Sequence, residues 1–547
     1  MTVAPSDEPS DEPPDEQGIP ASRGCQRRLA VQHEPGRRPH RWRMSTDQLT
    51  QRLHRPRPSR GRPWLAGRYS AAVSLVLVAL CPFIVLSTAS LFLTQRMSLD
   101  LHTSMFGIQL AEGLSNAAYA FGAVVAADLI QRLPTWRLYV ATEAVFAVGS
   151  LLAALAPGIG AFTVGRVLQG MATGMLLVVA LPPLVTRHGA ARVPLSAAFV
   201  NLGLFGMVTI GPVVGGVVAA TGTWRLMFGV AAFLGVVGSV LGLLAFERQA
   251  PASRHARFDW SGIPLALAAT VLPFFGVSWL VRGGFGSPVF YLPVAAGLLA
   301  LGALLVRQYR GARPLMPLKL IAHTLPVTGI ATAMVTGASV TALVDLAVVY
   351  LLQVQHDSPV FTGTILVTQV AGVVIAALLF KAVLRTRWLP VLALGGLGAT
   401  ALGGVQLLGL GLHNAPTMVA VAGLLLGFGA GAGVAPGLFM AGLSVPSGRL
   451  GPIFALVELL RSEAAFLVAP VVAQFVTLFR DPAAGIREAV LVLVLLCVIS
   501  GALILGVLLL GGARPHAPDI DTWIDGEQPA YNSPRIAGAV RRSESEA

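Results

Sequence analysis

Apolar stretches of about 20 residues, with few or no charges, recur along this chain, and they leave few choices of fold. Wound as a helix, each matches the roughly 30 Å hydrocarbon core of a bilayer. Fourteen are found: 70 to 93, 104 to 127, 137 to 157, 160 to 185, 195 to 219 and 226 to 246, a shorter pair at 262 to 281 and 289 to 306, and then 325 to 352, 360 to 380, 388 to 411, 416 to 443, 452 to 479 and 488 to 511. The chain is 54% hydrophobic and 12% charged, where soluble domains carry about a quarter charged residues. An all-α polytopic membrane protein is therefore predicted.

The net charge of +13 does not point to nucleic acid, because the basic residues sit in an N-terminal tail and in short loops between apolar runs. Six acids and no base stand in the first twenty residues, and thirteen arginines against two acids in residues 21 to 68. So polar and Pro-rich a tail is expected to be disordered, and the first apolar run is expected to act as a signal anchor. With an even number of spans, alternate loops hold fifteen bases (Arg132, Arg137, Arg187, Arg192, Arg248, Arg254, Arg257, Arg307, Arg310, Arg313, Lys319, Lys381, Arg385, Arg387 and Arg449). The opposite loops hold Arg96, Arg225, Arg282, Arg480 and Arg487. The positive-inside bias then predicts an inner-membrane protein with both termini in the cytoplasm.

An internal likeness between RLPTWRLYVATEAVFAVG after the second span and VLRTRWLPVLALGGLGATALGG after the tenth suggests duplicated halves, a habit of transporters. The expected organisation is a disordered tail over 1–68, a six-helix bundle over 69–248, two inserted helices and a linker over 249–322, a second six-helix bundle over 323–511 and a disordered cytoplasmic tail over 512–547. The three cysteines, Cys25, Cys81 and Cys497, are too scattered for a disulfide framework or a metal cluster. No cofactor or metal is expected.

Span 4 carries Gly165-Arg166-Val167-Leu168-Gln169-Gly170 and then Thr173 and Gly174. An arginine inside a membrane helix costs about 2.5 to 3.5 kcal/mol on insertion scales and needs a partner or a watery cavity. Arg166, Gln169 and Thr173 share one helix face. Span 5 carries Gly211-Pro212-Val213-Val214-Gly215-Gly216, where the proline removes a backbone hydrogen bond and the glycines permit close helix contact. In this order and at these positions the two segments resemble the signatures of the major facilitator superfamily, and specifically of its fourteen-span drug:proton antiporters. Phe258-Asp259-Trp260-Ser261-Gly262, before the inserted pair, is similar to the join seen in that family. The resemblance covers roughly residues 70 to 511.

Two segments depart from the family pattern. Where a Gly-x-x-x-Asp-Arg-x-Gly-Arg-Arg gating loop is expected, the chain reads Val124-Val125-Ala126-Ala127-Asp128-Leu129-Ile130-Gln131-Arg132, with Arg137 further on. Span 1, with Cys81, Ser87, Thr88 and Ser90, has no acid, so proton chemistry has to come from elsewhere.

An intramembrane carboxylate must be paired, protonated or wetted, and a proton carrier needs a pKa raised by desolvation. Glu112 shares a face of span 2 with Gln109 and Asn116, and serves either as a cavity group or as a packing hydrogen bond. Glu458 and Arg461, three apart in span 13, are placed to pair, as a structural or as a moving ion pair. Glu463 lies about 140° round the same helix and is not expected to share that site. Asp345 stands in the outer third of span 9. Glu143 lies near the end of span 3, where snorkelling or a loop arginine would satisfy it.

No nucleophile elbow, zinc pair or phosphate loop is present to support an enzyme or an ATP-driven pump. The resemblance implies a secondary transporter acting on a small molecule, with protons and lipids as its other partners. It also implies proton-coupled export of lipophilic or amphipathic compounds. Import of a nutrient by symport and a non-transporting receptor stay open, and the oligomeric state is not legible.

Overall fold

A computed structural model describes residues 63–248, 259, 261–311, 315–514, 516–526 and 528–536. Most of the expected N-terminal tail, Cys25, Phe258 and Trp260 lie outside these residues. The described part is helical: α1 (Tyr69–Asp100), α2 (Met105–Arg132), α3 (Thr135–Ala154), α4 (Ile159–Thr186), α5 (Val193–Thr221), α6 (Trp224–Ala245), α7 (Gly262–Ser278) and α8 (Pro288–Arg310). The second half adds α9 (Thr324–Val349), α10 (Pro359–Val383), α11 (Leu389–Leu408), α12 (Ala415–Leu443), α13 (Leu450–Val476) and α14 (Pro482–Leu510).

Thirteen of these, all but α13, are long and apolar enough to cross a bilayer, with or without an adjoining turn. The fourteenth, α13, is 27 residues long and carries Glu458, Arg461 and Glu463 in its middle. Length with so little charge makes the chain a multi-pass membrane protein.

The helices outrun the apolar stretches where charges pair along the axis. α1 runs about two turns past its apolar stretch, where Arg96 and Asp100 pair, and α2 about one and a half turns past its own, where Asp128 and Arg132 pair. Chain reversals follow local chemistry. The Ser104 hydroxyl accepts from the Gly107 N–H to begin α2, and Gly222, at φ 70°, ends α5 in the left-handed conformation that glycine adopts without strain.

The halves meet along two seams, α2 against α13 and α5 against α10. Glycine closes the second. A Cβ on Gly216 would stand 2.3 Å from the Pro359 carbonyl oxygen, so no larger residue fits there. In the same segment Gly211 and Gly215 seat α1, against Thr88 and Ala89. The antiporter-like motif of span 5 is thus a three-helix contact. Two hydrogen bonds join the halves among the described residues: Tyr119 to Glu458, and Asn201 Nδ2 to the Gly431 carbonyl oxygen at 3.0 Å. Gly431 lies in a π-helical turn, Ala430–Val434, inside α12.

Of the inserted pair, α7 packs on α2 and α8 packs chiefly on α7, leaving residues such as Leu299 75% exposed, as a lipid-facing helix would be. Asp259 ties the join: its carboxylate accepts from the Gly262 N–H at 2.9 Å and from Arg307 at 2.8 Å. Burial alone would raise the Asp259 carboxyl, but the Gly262 N–H and the Arg307 guanidinium outweigh it and hold the group below its ordinary range.

The segment after α14 differs from the disordered tail expected. A short helix, α15 (Ile520–Ile524), places Trp523 at 1% exposure, its indole donating to the Val445 carbonyl at 2.7 Å. The Ala530 and Tyr531 amides both donate to the Leu443 carbonyl, and the Thr324 amide donates to Pro534. Burial of Ile520, Trp523 and Tyr531 anchors a stretch whose polar, Pro-rich composition hides them.

Candidate functional site

Small residues set the position of Arg166. On α4, Gly170 and Gly174 lie so near α2 that added Cβ atoms would stand 2.0 and 1.9 Å from the Ser115 and Tyr119 carbonyl oxygens. With the backbones that close, Arg166, one turn before Gly170, meets Glu112, one turn before Ser115. Arg166 is wholly buried, and its Nη2 stands 2.5 Å from Glu112 Oε2. Its Nη1 donates to Gln169 Oε1 at 2.9 Å, and Nη2 also reaches Ser87 Oγ at 3.3 Å. Gln169 donates onward to Ser150 at 2.7 Å. The rings of Phe83 and Phe228 lie 5.4 and 5.7 Å from the guanidinium carbon, close enough for attraction to a cation. The other carboxylate oxygen, Glu112 Oε1, is enclosed and has no partner, as is Asn116 Oδ1.

A second ion pair lies across the seam. Glu458 Oε2 accepts from Arg461 Nε at 3.0 Å, and Oε1 accepts from Arg461 Nη2 and, at 2.8 Å, from the Tyr119 hydroxyl of α2. Both oxygens are satisfied. Phe83 joins the clusters: it stacks on Tyr119 with centroids 5.6 Å apart and planes 8° apart, while Arg166 lies over it.

The structure thus brings together Glu112, Arg166 and Gln169, and separately Glu458 and Arg461. Gln109 and Asn116 are half-buried on the Glu112 helix without bonding to Arg166. Asp345 is half-buried in α9 and makes no ion pair among the described residues. Glu463 is buried with both oxygens unpartnered. Glu143 differs from expectation. It neither snorkels nor meets a loop arginine, but is wholly buried, because Gly238 lets α6 close over it. In the displaced gating segment Asp128 pairs with Arg132 at 2.5 Å, while Arg137 lies over Trp136 instead.

Tyr119 and Phe83 were not singled out from the sequence. For Tyr119 a signal existed, since it stands seven residues after Glu112 and three after Asn116, on the same helix face. Phe83 is one of many apolar residues in its span and carried none.

An arginine and a carboxylate paired in a helical bundle of this topology call for comparison with known transporters. The sequence profile described as Major Facilitator Superfamily matches residues 75–349, half of the chain. The chain belongs to that superfamily. It is 29% identical over 274 residues to a Multidrug resistance protein B homolog of Mycobacterium tuberculosis (strain CDC 1551 / Oshkosh), covering 50% of this chain and 51% of that protein; the match thus spans about half of that relative. It is 29% identical over 421 residues to the Tetracenomycin C resistance and export protein of Streptomyces glaucescens, covering 72% of this chain and 75% of the relative. Among solved structures, a POT family transporter in complex with a thioalcohol conjugated peptide superposes with a TM-score of 0.59 at 12% identity, over 81% of this chain and 98% of that one. That likeness concerns the fold alone. The protein is a multi-pass transporter of the major facilitator type.

Proposed function

We propose that this transporter is a proton-coupled exporter of lipophilic or amphipathic small molecules, of the fourteen-span drug:proton antiporter kind, set in the inner membrane with both termini in the cytoplasm. Relatives named for multidrug resistance and for tetracenomycin C export support the direction. Proton coupling is carried by one observation: Glu112 holds Arg166 with one oxygen and leaves the other bare in an enclosed site. A proton arriving on Oε1 neutralises the carboxylate, loosens its hold on Arg166 and frees the guanidinium to rearrange among Gln169, Ser87 and the flanking rings. Release of the proton restores the pair. Rocking of the halves between these states exposes the site to one side and then the other.

Inverted vesicles under an imposed pH gradient test this, with a panel of neutral and cationic dyes, antibiotics and nutrients. Uptake of at least one lipophilic compound should follow the gradient and collapse with a protonophore. Accumulation that ignores the gradient would refute coupling, and uptake of nutrients alone would refute export of lipophiles.

A further inference from the structure

A cavity of about 860 Å³ lies between α1, α5 and α6 in the N-terminal half, apart from both ion pairs. Its mouth is framed by Leu226 and Val230, 65% and 50% exposed, on a face that spanning helices turn toward lipid. The volume falls within the roughly 300 to 1,000 Å³ of small-molecule sites.

Its lining is almost free of polar groups. Cys81 and Thr223 are the exceptions, and both are engaged: the thiol donates to the Gly203 carbonyl, and the Thr223 hydroxyl pairs with Thr221 at 2.8 Å. With no free donor and little more than a hydroxyl lone pair to accept, a charged or strongly polar guest would lose most of its hydration without replacement, at a cost of several kcal/mol. The guest that fits is uncharged and apolar.

Two contacts set this cavity apart from an ordinary groove in the lipid-facing surface. Val370 of α10 closes it from the C-terminal half, so it is continuous with the α5–α10 seam and changes shape whenever the halves move. Its inner wall is also shared with the polar site. Fewer than two turns of α1 give Pro82 and Val85 to the cavity, and Phe83 and Ser87 to Arg166. A guest there lies one helix away from the Glu112–Arg166 pair and touches the seam along which the halves rock.

We infer that this cavity is a lateral binding site for an uncharged lipophilic molecule entering from the bilayer. The inference rests on the export reading only in taking that molecule to be a transport substrate; the binding itself stands apart from it.

Equilibrium binding tests the site, using the neutral fluorophore N-phenyl-1-naphthylamine and the full chain in lipid nanodiscs with no pH gradient. Gly206 lines the cavity, and a Cβ there would meet only Leu202 Cδ1, at 3.6 Å, so Gly206→Leu fills space without striking backbone. Wild type should bind the probe saturably, and Gly206→Leu should weaken binding on the order of tenfold. Val230→Trp, which narrows the mouth from another helix, should weaken it too. Gly302→Leu on the exposed face of α8, where an added Cβ meets nothing, should leave binding unchanged. Non-saturable partitioning, equal binding by all variants, or displacement of the probe by added phospholipid would overturn the proposal, the last by showing that the cavity holds lipid chains instead. Because no gradient is applied, saturable binding by a wild type that shows no gradient-driven uptake would sink the export reading alone, and uptake without saturable binding would sink the cavity alone, so the two readings fail separately.

Discussion

The two ion pairs beside Phe83 use the same chemistry and differ in how fully it is used. Glu458 spends both oxygens, on Arg461 and on Tyr119. Glu112 spends one and keeps the other enclosed and bare. A carboxylate with both oxygens already held by donors is tied in place, since moving it breaks several charge-assisted bonds at once. One with a free oxygen accepts a proton without first breaking a bond. The closed pair is suited to holding parts of the protein together, and the open one to changing state. Burial and spacing do not separate these two pairs; the unoccupied oxygen of Glu112 does.

Arg166 is where this contrast is easiest to break. Arg166→Ala strips the donor from Glu112, Gln169 and Ser87 at once, while removal of an intramembrane charge eases insertion. Transport is expected to fall to background with normal amounts of protein in the membrane, measured as uptake beside immunoblot signal. Arg166→Lys should fail as well, because an ammonium cannot span Glu112 and Gln169 in one plane. Full activity of the alanine variant would take the open pair out of the mechanism.

Next in size is the cost of opening the closed pair. Glu458→Gln leaves Arg461 without its counter-charge, a loss of about 3 to 5 kcal/mol for a buried pair, visible as a lower melting temperature in detergent. Glu112→Gln should cost less. Its amide oxygen still accepts from Arg166, which also keeps Gln169, Ser87 and two aromatic rings. Its expected signature is kinetic: gradient-driven accumulation stops while downhill exchange persists. The reverse pattern, with Glu112→Gln unstable and Glu458→Gln uncoupled, would exchange the two roles.

How much of this was legible in the sequence depends on whether a feature is local. The spans were legible because hydrocarbon thickness sets a length that apolar runs display directly; α7 and α11 begin within a residue of the stretches read from charge alone. The facing of Glu112 and the pairing of Glu458 with Arg461 follow from helical repeat. Which helix Glu112 would meet was not legible, since the close approach of α2 and α4 depends on glycines some way from either charge. Glu143 was misjudged for the same reason, its burial being decided by Gly238 on another helix. The C-terminal segment misled differently: Trp523 and Tyr531 are isolated in a polar stretch, and only the shape of the α12–α13 connection gives them somewhere to go.

The smallest expected effect, and the one that most sharpens the comparison, belongs to Tyr119. Its hydroxyl is what makes the closed pair reach from one half of the protein to the other. Tyr119→Phe removes that donor and keeps the ring, so stacking on Phe83 persists and the loss is a single hydrogen bond to a charged acceptor, worth about 1.5 to 3 kcal/mol. Because the bond must break whenever α2 and α13 part, its loss should favour the separated state rather than unfold the chain. Distance measurements between spin labels on the two halves should show the separated population rising, with melting temperature nearly unchanged. In the Glu458→Gln background the same substitution should have a smaller effect, because the acceptor has already lost its charge; a double-mutant cycle reads that coupling directly. Additive effects of the two substitutions would mean that Tyr119 and Glu458 do not act as one contact, and that the seam is held by packing alone.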